Sequence, residues 1–102
     1  MGINVCRIGD TGEGVCTVPH DPHTTTGTII TGAATVFAEE SEVSRISDLI
    51  EADCSHAPIA VIITGSPTVF AEGSNVARIG DYFEGPNYSG TLLTGAATVF
   101  AE

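Results

Sequence analysis

The chain has 102 residues, thirteen acidic side chains, three arginines and no lysine, for a formal net charge of −10. Without clustered cations to neutralise phosphates, nucleic acid is excluded as a partner and stable binding to an anionic membrane surface is disfavoured. A chain of this length holds one small domain burying only about 60 to 65 per cent of the surface it exposes unfolded, and its Val, Ile and Ala punctuated by Gly, Pro, Thr and Ser read as all-β with a thin core.

The N-terminal stretch MGINVCRIGD has no basic segment followed by an apolar run, so no secretory signal is expected from it, and no later run approaches membrane-spanning length. Residues 5–10 read V-C-R-I-G-D. After a Thr-rich stretch at 11–30 that holds one Cys and two His comes the phrase T-G-A-A-T-V-F-A-E at 31–39. The same order then repeats. V-S-R-I-S-D at 43–48 precedes T-G-S-P-T-V-F-A-E at 64–72, and V-A-R-I-G-D at 76–81 precedes a second T-G-A-A-T-V-F-A-E at 94–102. Searching for internal periodicity therefore divides the whole chain, a single domain over 1–102, into units 5–39, 43–72 and 76–102.

Between the units lie the connectors Glu40-Ser41-Glu42 and Gly73-Ser74-Asn75. The second predicts a hairpin turn, with A-E-G-S-N-V-A-R-I running strand, turn, strand; the first is a weaker turn signal whose equivalence rests on the repeat. A unit this short buries no face alone. The expected fold is a small conical all-β domain of three short β-repeats around an internal pseudo-threefold axis. Radial closure is favoured over a stacked rod because the first and last phrases are identical, whereas a rod needs unlike caps.

The segments that differ are 11–30, 49–63 and 82–93, of 20, 15 and 12 residues. They are expected to be loops grafted on a constant scaffold, where function concentrates. Unit one places Cys16, His20 and His23 there and unit two Cys54 and His56, while unit three has neither residue type in its stretch. His23 and His56 are equivalent, each nine residues before the glycine of its phrase, Gly32 or Gly65. If the stretches converge on the axis, any four of these five side chains close a tetrahedral structural site. Thiolate with imidazole selects Zn²⁺, with Fe²⁺ as the second choice. The spacings match no standard zinc-finger pattern, and solvated histidines beside inert buried thiols are the competing reading. An odd number of cysteines without an export signal argues against a disulfide framework. Cys6 shares its position with Ser44 and Ala77 and reads as a small packed residue.

Three weaker signals are set aside. Asp10-Thr11-Gly12 has the form of an aspartic-protease motif, but the equivalent tripeptides are Asp48-Leu49-Ile50 and Asp81-Tyr82-Phe83. The pairs Arg7/Asp10, Arg45/Asp48 and Arg78/Asp81 are expected as surface or connector ion pairs worth about 0 to 1 kcal/mol each. Glu13, Glu51 and Asp53 could serve as the base of a zinc hydrolase of the cell envelope, although a solvated acidic rim is the simpler reading.

Gly65-Ser66-Pro67-Thr68-Val69-Phe70 followed by Val76-Ala77-Arg78-Ile79-Gly80-Asp81 resembles the PAAR-repeat family, and the resemblance covers the whole chain. The sequence departs from it in having Ala33-Ala34 and Ala96-Ala97 in place of Ser-Pro. The family's usual N-G-K/R-P-A-A-R is here E-G-S-N-V-A-R or E-E-S-E-V-S-R. The resemblance implies a non-enzymatic tip whose base sits on a trimeric β-helical spike, one copy per trimer, in contractile phage tails and type VI secretion systems. Its metal, held by Cys and His, stiffens a point that meets the target membrane transiently and binds no small-molecule substrate. With no effector segment after the third phrase, a phage tail baseplate is favoured over an armed secretion tip. The alternative is an acidic β-module that binds some other protein.

Overall fold

The computed structural model describes residues 2–17, 22–52, 54 and 58–101, and these form an all-β fold. In chain order the strands are β1 (Ile3–Asn4), β2 (Thr11–Cys16), β3 (His23–Ile29), β4 (Phe37–Ala38), β5 (Ser41–Glu42) and β6 (Leu49–Ala52). They continue with β7 (Ile59–Ile62), β8 (Phe70–Ala71), β9 (Ser74–Asn75), β10 (Tyr82–Glu84), β11 (Tyr88–Leu92) and β12 (Phe100–Ala101). The body is elongated, 41 × 25 × 22 Å, with two core clusters that define two tiers.

The first tier is a closed antiparallel barrel in the order β10-β11-β2-β3-β6-β7, sealed where β7 pairs β10 through Phe83↔Ile62 and Glu84↔Val61. Each unit supplies one hairpin. The segments expected as loops are therefore the barrel wall. Their period-two pattern accounts for this: Gly12, Gly14 and Cys16 of β2, Ile50 and Ala52 of β6, and Ala60 and Ile62 of β7 point inward, with exposed Glu13, Glu51 and Val61 between them. The extra length of unit one lies in its strands, six and seven residues in β2 and β3 against four and four in β6 and β7.

The units share the barrel interior unequally. Unit three fills it with Phe83 and Tyr88, whose ring centroids lie 5.0 Å apart. Unit one makes room with glycine: a Cβ on Gly12 would lie 2.7 Å from the Phe83 ring, and one on Gly14 would lie 3.0 Å from the Tyr88 ring and 2.2 Å from the Ser89 carbonyl oxygen. Tyr88, Phe83, Ile29, Ile50, Ile62 and Leu92 are buried completely.

The second tier is threefold. Two-stranded ribbons β4-β5 and β8-β9 turn through Glu39-Glu40 (φ 50° and 74°) and Glu72-Gly73 (φ 49° and 84°), the left-handed pair of a two-residue hairpin. The first connector thus turns as the second does, with glutamates in both left-handed positions. The third ribbon pairs β12 with β1, joining the two ends of the described chain through Ile3↔Ala101 and Asn4↔Phe100. Its core is Val5, Val43 and Val76 with Ala38, Ala71 and Ala101, and Ala33, Ser66 and Ala96 lie beside them.

The tiers meet on the axis. Cys6 N–H donates to the Ala77 carbonyl (3.0 Å), Ala77 N–H to Ser44 (2.9 Å) and Ser44 N–H to Cys6 (3.0 Å), a closed ring of three backbone hydrogen bonds with all three residues fully buried. Only small side chains fit there, as their shared repeat position implied. The neighbouring bridges Val5↔Arg78, Arg7↔Val43 and Arg45↔Val76 complete the circuit.

Candidate functional site

The repeated Arg and Asp build the joints between units. Arg7 Nε lies 2.8 Å from Asp10 Oδ2, Arg45 Nε 2.9 Å from Asp48 Oδ2 and Arg78 Nε 3.0 Å from Asp81 Oδ2; each arginine's Nη2 reaches the other carboxylate oxygen. The hydrogen bonds to these carboxylates raise the three guanidinium pKa values. Of the two expected settings, surface or connector, the surface one is corrected here, because Asp10, Asp48 and Asp81 are buried at 6, 4 and 5% exposure. Each accepts a further hydrogen bond across a unit boundary: Thr31 Oγ1 donates to Asp48 (2.8 Å), Thr64 to Asp81 (2.9 Å) and Thr94 to Asp10 (3.1 Å). Every unit thereby holds the next, and the third holds the first.

A second circuit runs through the last residue of the phrase. Glu39 accepts the Thr98 amide (2.8 Å) and hydroxyl and lies 3.3 Å from Arg7 Nη1. Glu72 accepts the Thr35 amide (2.9 Å) and hydroxyl and lies 3.3 Å from Arg45 Nη1. Both carboxyls are held below their ordinary range, first by the threonine hydroxyl. Glu102 lies outside the described residues.

The barrel carries the candidate metal ligands. Cys16 ends β2, fully buried, opposite His23 on one side and Tyr88 on the other. Cys54 follows β6 at 2% exposure, with its sulfur 3.4 Å from the Asn87 carbonyl oxygen. The two cysteines form a disulfide with Cα atoms 5.6 Å apart. The expectation that an odd cysteine count argues against a disulfide is corrected: Cys16 and Cys54 pair, and Cys6 is the odd thiol, buried on the axis and donating to the Thr94 carbonyl at 3.2 Å. Burial, with Asp10 and Asp81 behind it, pushes that thiol up to about 12, so Cys6 stays protonated on the axis.

Of the five candidates the structure brings together Cys16 and Cys54 with half-buried His23 across the ladder from Cys16. His20 and His56 lie outside the described residues, as does Asp53. Among the described residues no three His, Cys, Asp or Glu side chains converge as a metal cage. The donor chemistry fits a soft metal in part: two adjacent buried sulfurs and a neighbouring imidazole suit Zn²⁺ once the sulfurs are reduced to thiolates.

A single chain closed on itself by three alike joints, with one end built of like elements and the other of unlike ones, defines a β-protein of internal pseudo-threefold form. A family model described as the PAAR motif matches residues 20–85, nearly two thirds of the chain. The chain belongs to that family, whose members are structural spike-tip proteins of contractile injection systems. No curated protein matches it in sequence.

The Thr–Asp joints and the glutamate latches were missed in the sequence. Their signal was present, since Thr31, Thr64 and Thr94 open all three phrases and Glu39 and Glu72 close two of them. A repeat alignment shows which residues are equivalent but not which unit each one touches.

Proposed function

We propose that this chain caps a trimeric β-helical spike, one copy per trimer, as the membrane-piercing point of a contractile injection apparatus in a phage tail. The observation that carries this reading is the closed circuit of Thr–Asp joints and the backbone ring at Cys6, Ser44 and Ala77. It gives one chain three like sides, so a single copy meets three identical subunits without a symmetry conflict. The test is native mass spectrometry with the trimeric spike: one chain per trimer is expected, and no binding overturns the proposal.

The reading extends to a metal at the unlike end. With the disulfide reduced, Cys16 and Cys54 supply thiolates and His23 an imidazole, and His20 or His56 completes four ligands. A bound Zn²⁺ would crosslink segments of units one and two that are distant in sequence, which raises resistance to unfolding under force if the link survives to the transition state. Chelation of the zinc-loaded, reduced protein is expected to lower its Tm while the β-sheet circular dichroism persists. An unchanged Tm after verified metal removal overturns the structural role. X-ray absorption is expected to give a closed four-ligand sphere; a sphere open to water would return the hydrolase alternative.

A further inference from the structure

The last five residues of the phrase, Thr-Val-Phe-Ala-Glu, are identical in all three units, and the structure explains four of them from within. The threonine is held by the glutamate of another unit where both residues are described, as Thr35 by Glu72 and Thr98 by Glu39. The valine carbonyl accepts a backbone hydrogen bond, Val36 from Val43, Val69 from Val76 and Val99 from Val5. The alanine fills the second-tier core, with Ala38, Ala71 and Ala101 no more than 3% exposed. The glutamate is the latch already described.

The phenylalanine is different. Phe37, Phe70 and Phe100 stand 58, 58 and 54% exposed, one on each ribbon, at matching register opposite Glu42, Asn75 and Asn4. Elsewhere the pattern is weaker: Ile30, Ile63 and Leu93 recur before each phrase at 39, 46 and 46% exposure but are not identical, and Tyr82, at 55%, is matched by Thr11 and Leu49 in the other units. An identical large apolar side chain left in water at three equivalent places marks a binding surface that is itself threefold.

We infer that Phe37, Phe70 and Phe100 are three interchangeable anchors that enter three equivalent apolar pockets on the end of a homotrimeric protein. The inference rests on the capping reading and adds the residues that make the contact. Charge narrows the partner. The chain has no lysine, its three arginines are each engaged by an aspartate, and the first ribbon carries Glu40 and Glu42 near Phe37 where the other ribbons have neutral residues. The pockets therefore have neutral or basic rims, since an acidic rim would set like charges against one another across the interface.

The test uses the full chain and the homotrimeric β-helical spike from the same source, titrated by biolayer interferometry. Phe37→Ser, Phe70→Ser and Phe100→Ser are each expected to weaken Kd about tenfold and by similar factors, and the triple variant to lose measurable binding. Thermal melting of each variant is expected to match the parent, because the rings are solvent-exposed. Tyr82→Ser on the barrel flank is expected to bind as the parent does. If the parent binds and the triple variant binds equally well, the anchors are overturned and capping stands. If only one phenylalanine matters, or if Tyr82→Ser weakens binding as much, the threefold anchor set is overturned. If the parent itself does not bind, capping fails and the anchors with it.

Discussion

In the ribbon tier the three units do the same work: Val5, Val43 and Val76 pack alike, and Phe37, Phe70 and Phe100 are presented alike. In the barrel the units divide the work, since unit one gives glycines and Cys16, unit two gives Ile50, Ile62 and Cys54, and unit three gives both large aromatics. The difference follows from what each tier must satisfy. A backbone ring and repeated joints demand identical geometry at every copy. A barrel with one interior volume constrains only the sum of its side chains, so copies can diverge if their sizes compensate.

The comparison breaks most readily at the joints. Asp48→Ala leaves Arg45 and Thr31 without their shared acceptor and is expected to cost about 4 kcal/mol in urea unfolding. Asp10→Ala and Asp81→Ala should cost the same within about 1 kcal/mol if the tier is energetically as threefold as it is geometrically. A spread well beyond that would show the symmetry to be one of shape alone.

The barrel tier is probed next by its crosslink. With its ends 38 positions apart, loss of the Cys16–Cys54 bond in a Cys16→Ser/Cys54→Ser double variant is expected to lower stability by about 3 to 4 kcal/mol. The measurement is the midpoint of denaturant unfolding under oxidising conditions. Since both sulfurs belong to the barrel, the anchors of the ribbon tier should keep their affinity for a partner.

A smaller effect, of opposite sign, is expected where one copy departs from its equivalents. Ser47 occupies the place of Gly9 and Gly80 at a φ of 85°, where those glycines have 95° and 92°. Ser47→Gly should raise stability by about 1 kcal/mol by relieving the left-handed strain of a residue with a Cβ. Gly80→Ser should act in the reverse sense, and both are read from the shift in thermal midpoint.

The smallest effect is in pH. Glu39 and Glu72 have folded carboxyls below the ordinary value of 4.5. The unfolded chain therefore takes up protons first as pH falls. The stability they contribute is present above about pH 4.5 and is lost as pH drops through the lowered folded values. Following the amide chemical shifts of Thr35 and Thr98 on acidification should show both latches releasing together below pH 4.5, with Glu72→Gln removing the Thr35 transition alone.

Much of the ribbon tier was legible before any coordinates, because identity under self-alignment is a direct report of equivalent backbone geometry. The match of Cys6 with Ser44 and Ala77 already implied a small buried site, and the ring on the axis is its cause. Glu40 in a left-handed position was harder to read, since glutamate carries no turn preference of its own and only its equivalence with Gly73 signalled the bend. The barrel was less legible. Its segments of unlike length looked like loops, because Gly12 and Gly14 interrupt the apolar pattern of β2, and glycine in a strand makes sense only once the ring it faces is known. The disulfide was hidden for a related reason: Cys16 and Cys54 are not repeat equivalents, so no self-alignment sets them side by side.

The contrast between the two ends also governs how the molecule can be imaged. On a threefold partner, like ribbons accept three azimuthal settings of nearly equal energy, 120° apart, and each setting swings the off-axis Cys16–Cys54 pair to a different bearing. A reconstruction averaged with threefold symmetry would then sharpen the ribbons and the phenylalanines while superposing Phe83 on residues of the other two units. The crosslinked end would be blurred by the averaging alone, and its true density would emerge only when particles are sorted without imposed symmetry.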